Sequence, residues 1–175
     1  LNQKYYCNHG NKVTTIKKWF AAERKLLPLL AKYCEKKNLK LTICGSSRTA
    51  SGIKIEKKVF NKMIKSSNWI YWNNKKKPLD VYRFADKFEL IVCIWSTLGL
   101  ELFGRNKKVA FFRQNIKGYP DRDFGWPLKL KKKGFFYTSE INDNEVNRIL
   151  NSLRNIKTHD WISKINIIKK KNYGL

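Results

Sequence analysis

Acidic residues are scarce in this chain. Thirteen Asp and Glu stand against 38 Lys and Arg, so 175 residues carry a formal net charge of +25. Histidine is scarcer still, with only His9 and His159. No Ser/His/Asp order accompanies them, and there is no phosphate-binding P-loop and no GxGxxG dinucleotide fingerprint. His9, in Asn8-His9-Gly10, stays open as either a catalytic or an incidental terminal residue. Four cysteines, at positions 7, 34, 44 and 93, form no CxxC pair. That argues against a zinc site and a disulfide framework, and for a reducing, cytosolic setting. Cys44 and Cys93 fall within apolar runs and are expected to be buried as small hydrophobes. No apolar run approaches the roughly 20 residues of a membrane-spanning helix. The first residues, LNQKYYCNHG, lack both an initiator Met and the apolar stretch of a secretory signal. A fragment or a processed product is the expectation.

What remains is a chain with enough apolar residues, 42%, for a real core in one domain. Its charge has two readings. An anionic surface (nucleic acid or lipid) is one. The other comes from the kind of residue: 30 of the 38 basic residues are Lys, and 17 residues are Asn. Lys, Asn and Ile share A/T-rich codons, so a low-GC genome would produce the same bias. The lysines are also spread along the chain, whereas a nucleic-acid reader more often concentrates Arg in a patch.

Periodicity predicts strands alternating with helices. A helix is expected over Thr14 to Lys37, bent or divided at Pro28. Strand Leu39–Cys44, helix Ile53–Ile64, strand Asn68–Trp72 and helix Leu79–Lys87 follow. Then come strand Leu90–Ile94, helix Thr97 to about Phe103 and strand Val109–Phe112. A short strand at Gly134–Tyr137, a helix at Asn142–Arg154 capped by Asn142 or Asp143, and a last helical segment at His159–Ile168 complete the pattern. Apolar strands between helices imply an α/β fold: a three-layer, Rossmann-like domain with a mostly parallel sheet covered on both faces. The domain occupies residues 1–175, with a core over about 14–155 and a C-terminal helix and basic tail over 156–175.

Ligands of such sheets bind at the carboxyl ends of the strands, so the turns there are the candidate sites. Ser96-Thr97-Leu98-Gly99, with Glu101 on the helix that follows, pairs a helix N-terminus with a carboxylate. The helix dipole and backbone N–H groups attract an anion, and Glu101 can hold a sugar hydroxyl. The same residues also read as a helix cap ahead of core leucines. Gly45-Ser46-Ser47-Arg48 suits a diphosphate, or is a surface loop with a solvated Arg. In Asp121–Pro127, Phe124 and Trp126 can face a sugar ring or base and Asp123 can hold a hydroxyl; a loop pinned by two rings is the other reading. No metal site is expected.

At this point the residues resemble a family. WSTLGLELFGRNKKVAFF is similar to the donor-side motif of GT-B-type glycosyltransferase-like proteins, close to D-S-T-L-G-x-E-x-x-x-x-x-K-x-V-x-F. The upstream KLLPLLAKYCEKKNLKLTICGSS and the downstream FGWP and GFFYT extend the likeness over roughly residues 24–155. Together they resemble bacterial surface-carbohydrate (lipopolysaccharide or capsule) biosynthesis proteins. The resemblance implies the C-terminal, nucleotide-sugar-binding half of a two-domain enzyme, with no cofactor and no essential metal. By it, Ser96, Thr97, Leu98 and Gly99 meet the donor diphosphate or sugar. Glu101 holds ribose or sugar hydroxyls, and Gly45, Ser46 and Arg48 approach phosphate. The partners implied are a nucleotide sugar, a glycan or lipid-linked acceptor and the anionic inner face of the cytoplasmic membrane, with no specific nucleic acid. The family often has an acidic residue before Ser-Thr; Trp95 stands there instead. The catalytic base of such enzymes comes from an N-terminal half, and no catalytic residue is assigned here. Two other functions remain as alternatives, a basic nucleic-acid-binding module and a sugar-nucleotide epimerase-like enzyme.

Overall fold

The computed structural model describes residues 4–6, 13–15, 20–73, 79–94, 96–113 and 133–173. Two strands, β1 (Lys4–Tyr6) and β2 (Val13–Thr15), pair antiparallel, with Tyr5 opposite Thr14. Helix α1 (Ala21–Lys36) leads into β3 (Leu41–Gly45), α2 (Ala50–Met63) and β4 (Trp69–Asn73). Helix α3 (Asp80–Ala85), β5 (Leu90–Cys93), α4 (Thr97–Gly104) and β6 (Lys108–Phe112) follow. Strand β7 (Tyr137–Thr138), α5 (Asp143–Asn155) and α6 (Thr158–Tyr173) complete the described chain.

The fold is α/β. Strands β3 and β4 run parallel, Leu41 opposite Trp69 through to Gly45 opposite Asn73. Strands β5, β6 and β7 form a second parallel sheet with β6 in the middle. Two β-α-β units therefore recur, β3-α2-β4 and β5-α4-β6. The sheets are short and mostly parallel, with helices packed against them, compatible with a Rossmann-like three-layer arrangement. Every residue of β6 is buried, as a central strand covered on both faces requires. Its first residue is charged: the Lys108 stem lies in the core while Nζ donates to Glu89 (3.2 Å) and to the Ile156 carbonyl (2.9 Å).

One apolar cluster joins both units. Helix α1 contributes Leu26, Leu27, Leu30 and Tyr33, and α5 contributes Val146, Ile149, Leu150 and Leu153. The Tyr33 hydroxyl donates to Asn151 Oδ1 of α5 at 2.9 Å. Helix α6 closes the same cluster with Trp161 and Ile165, both fully buried. The Trp161 ring meets Phe103 and Phe136 edge-on, at 5.9 and 5.6 Å between centroids. Its Nε1–H donates to the Asn106 carbonyl at 2.9 Å.

Several expectations change. The N-terminal helix does not reach back to Thr14, because Val13, Thr14 and Thr15 form strand β2. β-Branched residues favour the extended form, and the helix itself spans Ala21–Lys36. Pro28 does not divide α1, which runs unbroken from Ala21 to Lys36. Pro28 itself is exposed, while Leu26, Leu27 and Leu30 on either side anchor both halves of the helix in one core. Cys44 is exposed, not buried: side chains alternate along β3, and it is Leu41 and Ile43 that pack on the core. Cys93 is buried, as expected. The late strand is Tyr137–Thr138, a little beyond Gly134–Tyr137. The cap of α5 is Asn142, whose Oδ1 accepts from the Glu145 N–H at 2.9 Å.

Candidate functional site

The sequence-derived candidates gather at two turns, one after β3 and one after β5. After β5 the chain reaches Ser96, whose extended backbone (φ −92°, ψ 132°) marks the N-cap of α4. Its hydroxyl accepts from the Leu98 N–H at 3.2 Å, and its carbonyl accepts from the Gly99 N–H at 3.0 Å. Thr97 is exposed and Leu98 half-buried. Gly99 is buried because α4 lies against its own sheet: a Cβ there would come within 2.7 Å of Cys93 Cβ and 3.1 Å of Phe111 Cε1. Gly99→Ala is accordingly expected to cost about 1–3 kcal/mol by forcing helix and strand apart; a urea denaturation midpoint equal to that of the parent chain would contradict it.

Glu101 projects from α4 into solvent. It accepts a hydrogen bond from the Tyr82 hydroxyl of α3. That bond holds the Tyr82 phenol proton above its ordinary range. The Arg105 guanidinium stands over the Tyr82 ring, 5.3 Å from its centroid. Arg105 and Lys107 in turn pair with Asp86 at 3.4 and 3.1 Å. Helices α3 and α4 thus present one carboxylate with one of its oxygens already oriented. The residues that do this, Tyr82 and Arg105, carried no signal in the sequence beyond ordinary helix composition.

The turn after β3 is built around Glu56 of α2, which is 3% exposed. Ser46 Oγ donates to Glu56 Oε1 at 2.5 Å and the Ser47 N–H at 3.0 Å. The Tyr71 hydroxyl of β4 donates to Oε2 at 2.6 Å. Gly45 is buried, and a Cβ there would overlap the Tyr71 phenol. Thr49 caps α2, its Oγ1 accepting from the Gly52 N–H at 3.1 Å. The Ser46 hydroxyl is thus engaged by Glu56, while Arg48 is exposed. Glu56 was legible in principle: it occupies an inward position between Ile53 and Val59 on a helix otherwise lysine-rich on its outer face.

A family model described as "putative O-antigen biosynthesis protein" matches residues 2–172. The chain belongs to this O-antigen biosynthesis family. No curated protein and no solved structure matches it. The likeness to surface-carbohydrate biosynthesis proteins read from the motifs therefore stands at the level of the family.

Other positions of the chain complete the account. Asp123, Phe124 and Trp126, together with Trp95 and His9, lie outside the described residues. His159 is exposed on α6, paired with Asp160 at 2.9 Å. No group of three or more His, Cys, Asp or Glu able to hold a metal ion occurs among the described residues. No described helix is long and apolar enough to cross a membrane. The strongest ionic contact on α5 is Arg148 with Glu145, at 2.7 Å. The Arg148 hydrogen bond holds the Glu145 carboxyl below its ordinary range, and the same guanidinium bonds the Gly134 carbonyl at 2.9 Å. This pair fixes the approach to β7 and has no part in either turn.

Proposed function

We propose that this chain binds the nucleotide-sugar donor of a glycosyltransferase working in O-antigen or related surface-polysaccharide synthesis. The observation that supports this most is the β5–α4 turn. A parallel strand delivers the chain to a capped helix N-terminus, and that helix carries an exposed carboxylate oriented by a neighbouring tyrosine.

Transfer of a glycosyl group builds negative charge on the departing nucleoside diphosphate and positive charge on the sugar ring. A helix N-terminus carries partial positive charge that needs no reorganisation as the diphosphate leaves. In this reading Ser96, Thr97, Leu98 and Gly99 receive the diphosphate and Glu101 accepts hydroxyls of the ribose. Arg48 adds positive charge, and Asp123, Phe124 and Trp126 frame the sugar or base. No residue of the chain is assigned as the catalytic base. The charge of +25 draws the anionic donor and a lipid-linked acceptor to the chain, and favours its residence at the inner face of the cytoplasmic membrane.

Calorimetric titration with a panel of nucleoside diphosphates and nucleotide sugars tests the proposal. One of them is expected to bind in the micromolar to millimolar range, and Glu101→Ala is expected to weaken it roughly tenfold. Absence of any binding at millimolar concentration, or an unchanged affinity in the variant, would sink it. Product analysis separates transfer from epimerisation, since an epimer formed without acceptor identifies the latter. Steeply salt-dependent binding to RNA or DNA in place of nucleotides would favour a nucleic-acid module.

A further inference from the structure

Among the described residues, three buried side-chain atoms lack a hydrogen-bond partner: Glu23 Oε2, Arg24 Nε and Asn73 Oδ1. Buried polar atoms are almost always satisfied, and each exception calls for an explanation. Here the exceptions are not scattered. Glu23 and Arg24 are neighbours in the first turn of α1. Asn73 is the last residue of β4 and lies opposite Gly45 in the parallel register. Gly45 leads directly into Ser46 and Ser47, which bind Glu56. Glu56 is also the carboxylate that acts electrostatically on Glu23. An unsatisfied acceptor from α1 and another from β4 therefore flank one turn, at the carboxyl end of a parallel strand pair, where α/β sheets take ligands.

Glu56 differs from Glu23 in kind. Three donors, from Ser46, Ser47 and Tyr71, engage its two oxygens, which makes it the scaffold of the turn. Glu23 has only its own backbone N–H as a compensating bond. Burial, opposed by that bond and reinforced by the charge of Glu56, pushes its carboxyl up to about 7. A chain selected for stability alone would place an apolar residue or a second donor there. Buried carboxyls with a proton affinity raised in this way cluster at binding and catalytic sites.

The chemistry of the missing partner follows from what is unsatisfied. Two oxygen acceptors need a group that donates. The charge of Glu56 reaches Glu23, and negative potential there disfavours phosphate, so the diphosphate is not the part of a donor that sits here. A sugar ring offers neutral hydroxyls that donate to the acceptors, and a hydroxyl oxygen can take the Arg24 Nε–H in return. We propose that the turn after β3 is a sugar subsite, in which Glu23 Oε2 and Asn73 Oδ1 accept hydrogen bonds from hydroxyls of the transferred sugar ring. The subsite rests on the nucleotide-sugar reading and divides the donor between two turns, diphosphate at β5–α4 and sugar at β3–α2.

The test compares UDP, dTDP, CDP and GDP with their glucose conjugates by calorimetry, on the full chain and on Glu23→Gln and Asn73→Ala. For the nucleotide that binds, the conjugate is expected to bind more tightly than the diphosphate alone. Glu23→Gln and Asn73→Ala are each expected to lose roughly tenfold for the conjugate and to keep the diphosphate affinity within about twofold. A melting temperature of Glu23→Gln at pH 8 equal to or above that of the parent chain separates this loss from misfolding. Equal losses for diphosphate and conjugate, or none for either, overturn the sugar subsite and leave nucleotide binding standing. If no nucleotide and no conjugate binds the parent chain, both readings fall.

Discussion

Trp161→Ala is expected to lower the free energy of unfolding by about 3–5 kcal/mol, the range for emptying a fully buried aromatic site. The indole is 0% exposed and lies between Phe103 of α4 and Phe136 just before β7. Its removal leaves a cavity that those two rings, themselves stacked at 5.0 Å, cannot close without moving α4 or β7. It also strips the Asn106 carbonyl of the indole N–H. Asn106 has a positive φ of 64°, so its backbone depends on its surroundings to stay there. Trp161→Phe keeps most of the apolar volume and loses only the N–H, so a smaller cost of about 1–2 kcal/mol is expected. Urea denaturation followed by circular dichroism measures both. Equal costs would mean that the hydrogen bond dominates; a negligible cost for the alanine variant would mean that α6 does not belong to the folding core.

The second large effect is a pH dependence with an unusual sign. The Glu23 carboxyl is raised from its ordinary 4.5 to about 7 in the folded chain, first by burial and further by Glu56, against the opposing bond from its own backbone. Between those two values the folded state holds the proton more tightly than the unfolded chain does. Stability is therefore complete below about pH 4.5 with respect to this group, falls as the pH rises through 7, and levels off above it. At about 1.4 kcal/mol per pH unit the loss is on the order of 3 kcal/mol. Asp86 and Glu145 act in the opposite direction. Their carboxyls are held down, Asp86 by Lys107 and Arg105 and Glu145 by Arg148, so their contributions disappear in acid, below their ordinary values. Glu23→Gln removes the first effect and leaves the second. The difference between parent and variant unfolding free energies, measured from pH 4 to pH 8.5, should grow in favour of the variant as the pH rises. A flat difference would show that Glu23 is ionised at no unusual cost.

The two effects bear on the same trade. Trp161 is a residue whose burial satisfies everything around it. Glu23 is one whose burial leaves Oε2 without a donor, and the cost it imposes near neutral pH is reduced by a ligand that supplies the missing donor. Stability and donor affinity are therefore expected to move in opposite directions at Glu23 and together at Trp161.

Much of the fold was legible from local pattern. The apolar run Leu90–Cys93, the small-residue turn and the leucine-rich segment after it lead to β5, the Ser96 cap and α4. Asn142 ahead of an acidic first turn leads to the N-terminus of α5. These signals are local: hydrophobic periodicity and capping need only a few neighbouring residues. The elements misread were those settled by distant partners. Val13–Thr15 becomes a strand because Lys4–Tyr6 is there to pair with it. Cys44 turns outward because Leu41 and Ile43 claim the inward face of β3.

The candidate turns divide in the same way. Composition and order of segments determined, without coordinates, that this is an α/β chain of strongly basic charge with surface-carbohydrate motifs and two small-residue turns after strands. Only the tertiary structure decided what holds those turns. Glu56, Tyr71 and Tyr82 lie 9 to 19 residues along the chain from the groups they bond, and the inward position of Glu56 on its helix does not say which donors it meets. Whether such a group is solvated, saturated by donors or left with an empty acceptor depends on which helices and strands pack around it. Glu56 is saturated and Glu23 is not, although both are acidic residues on the helices flanking β3.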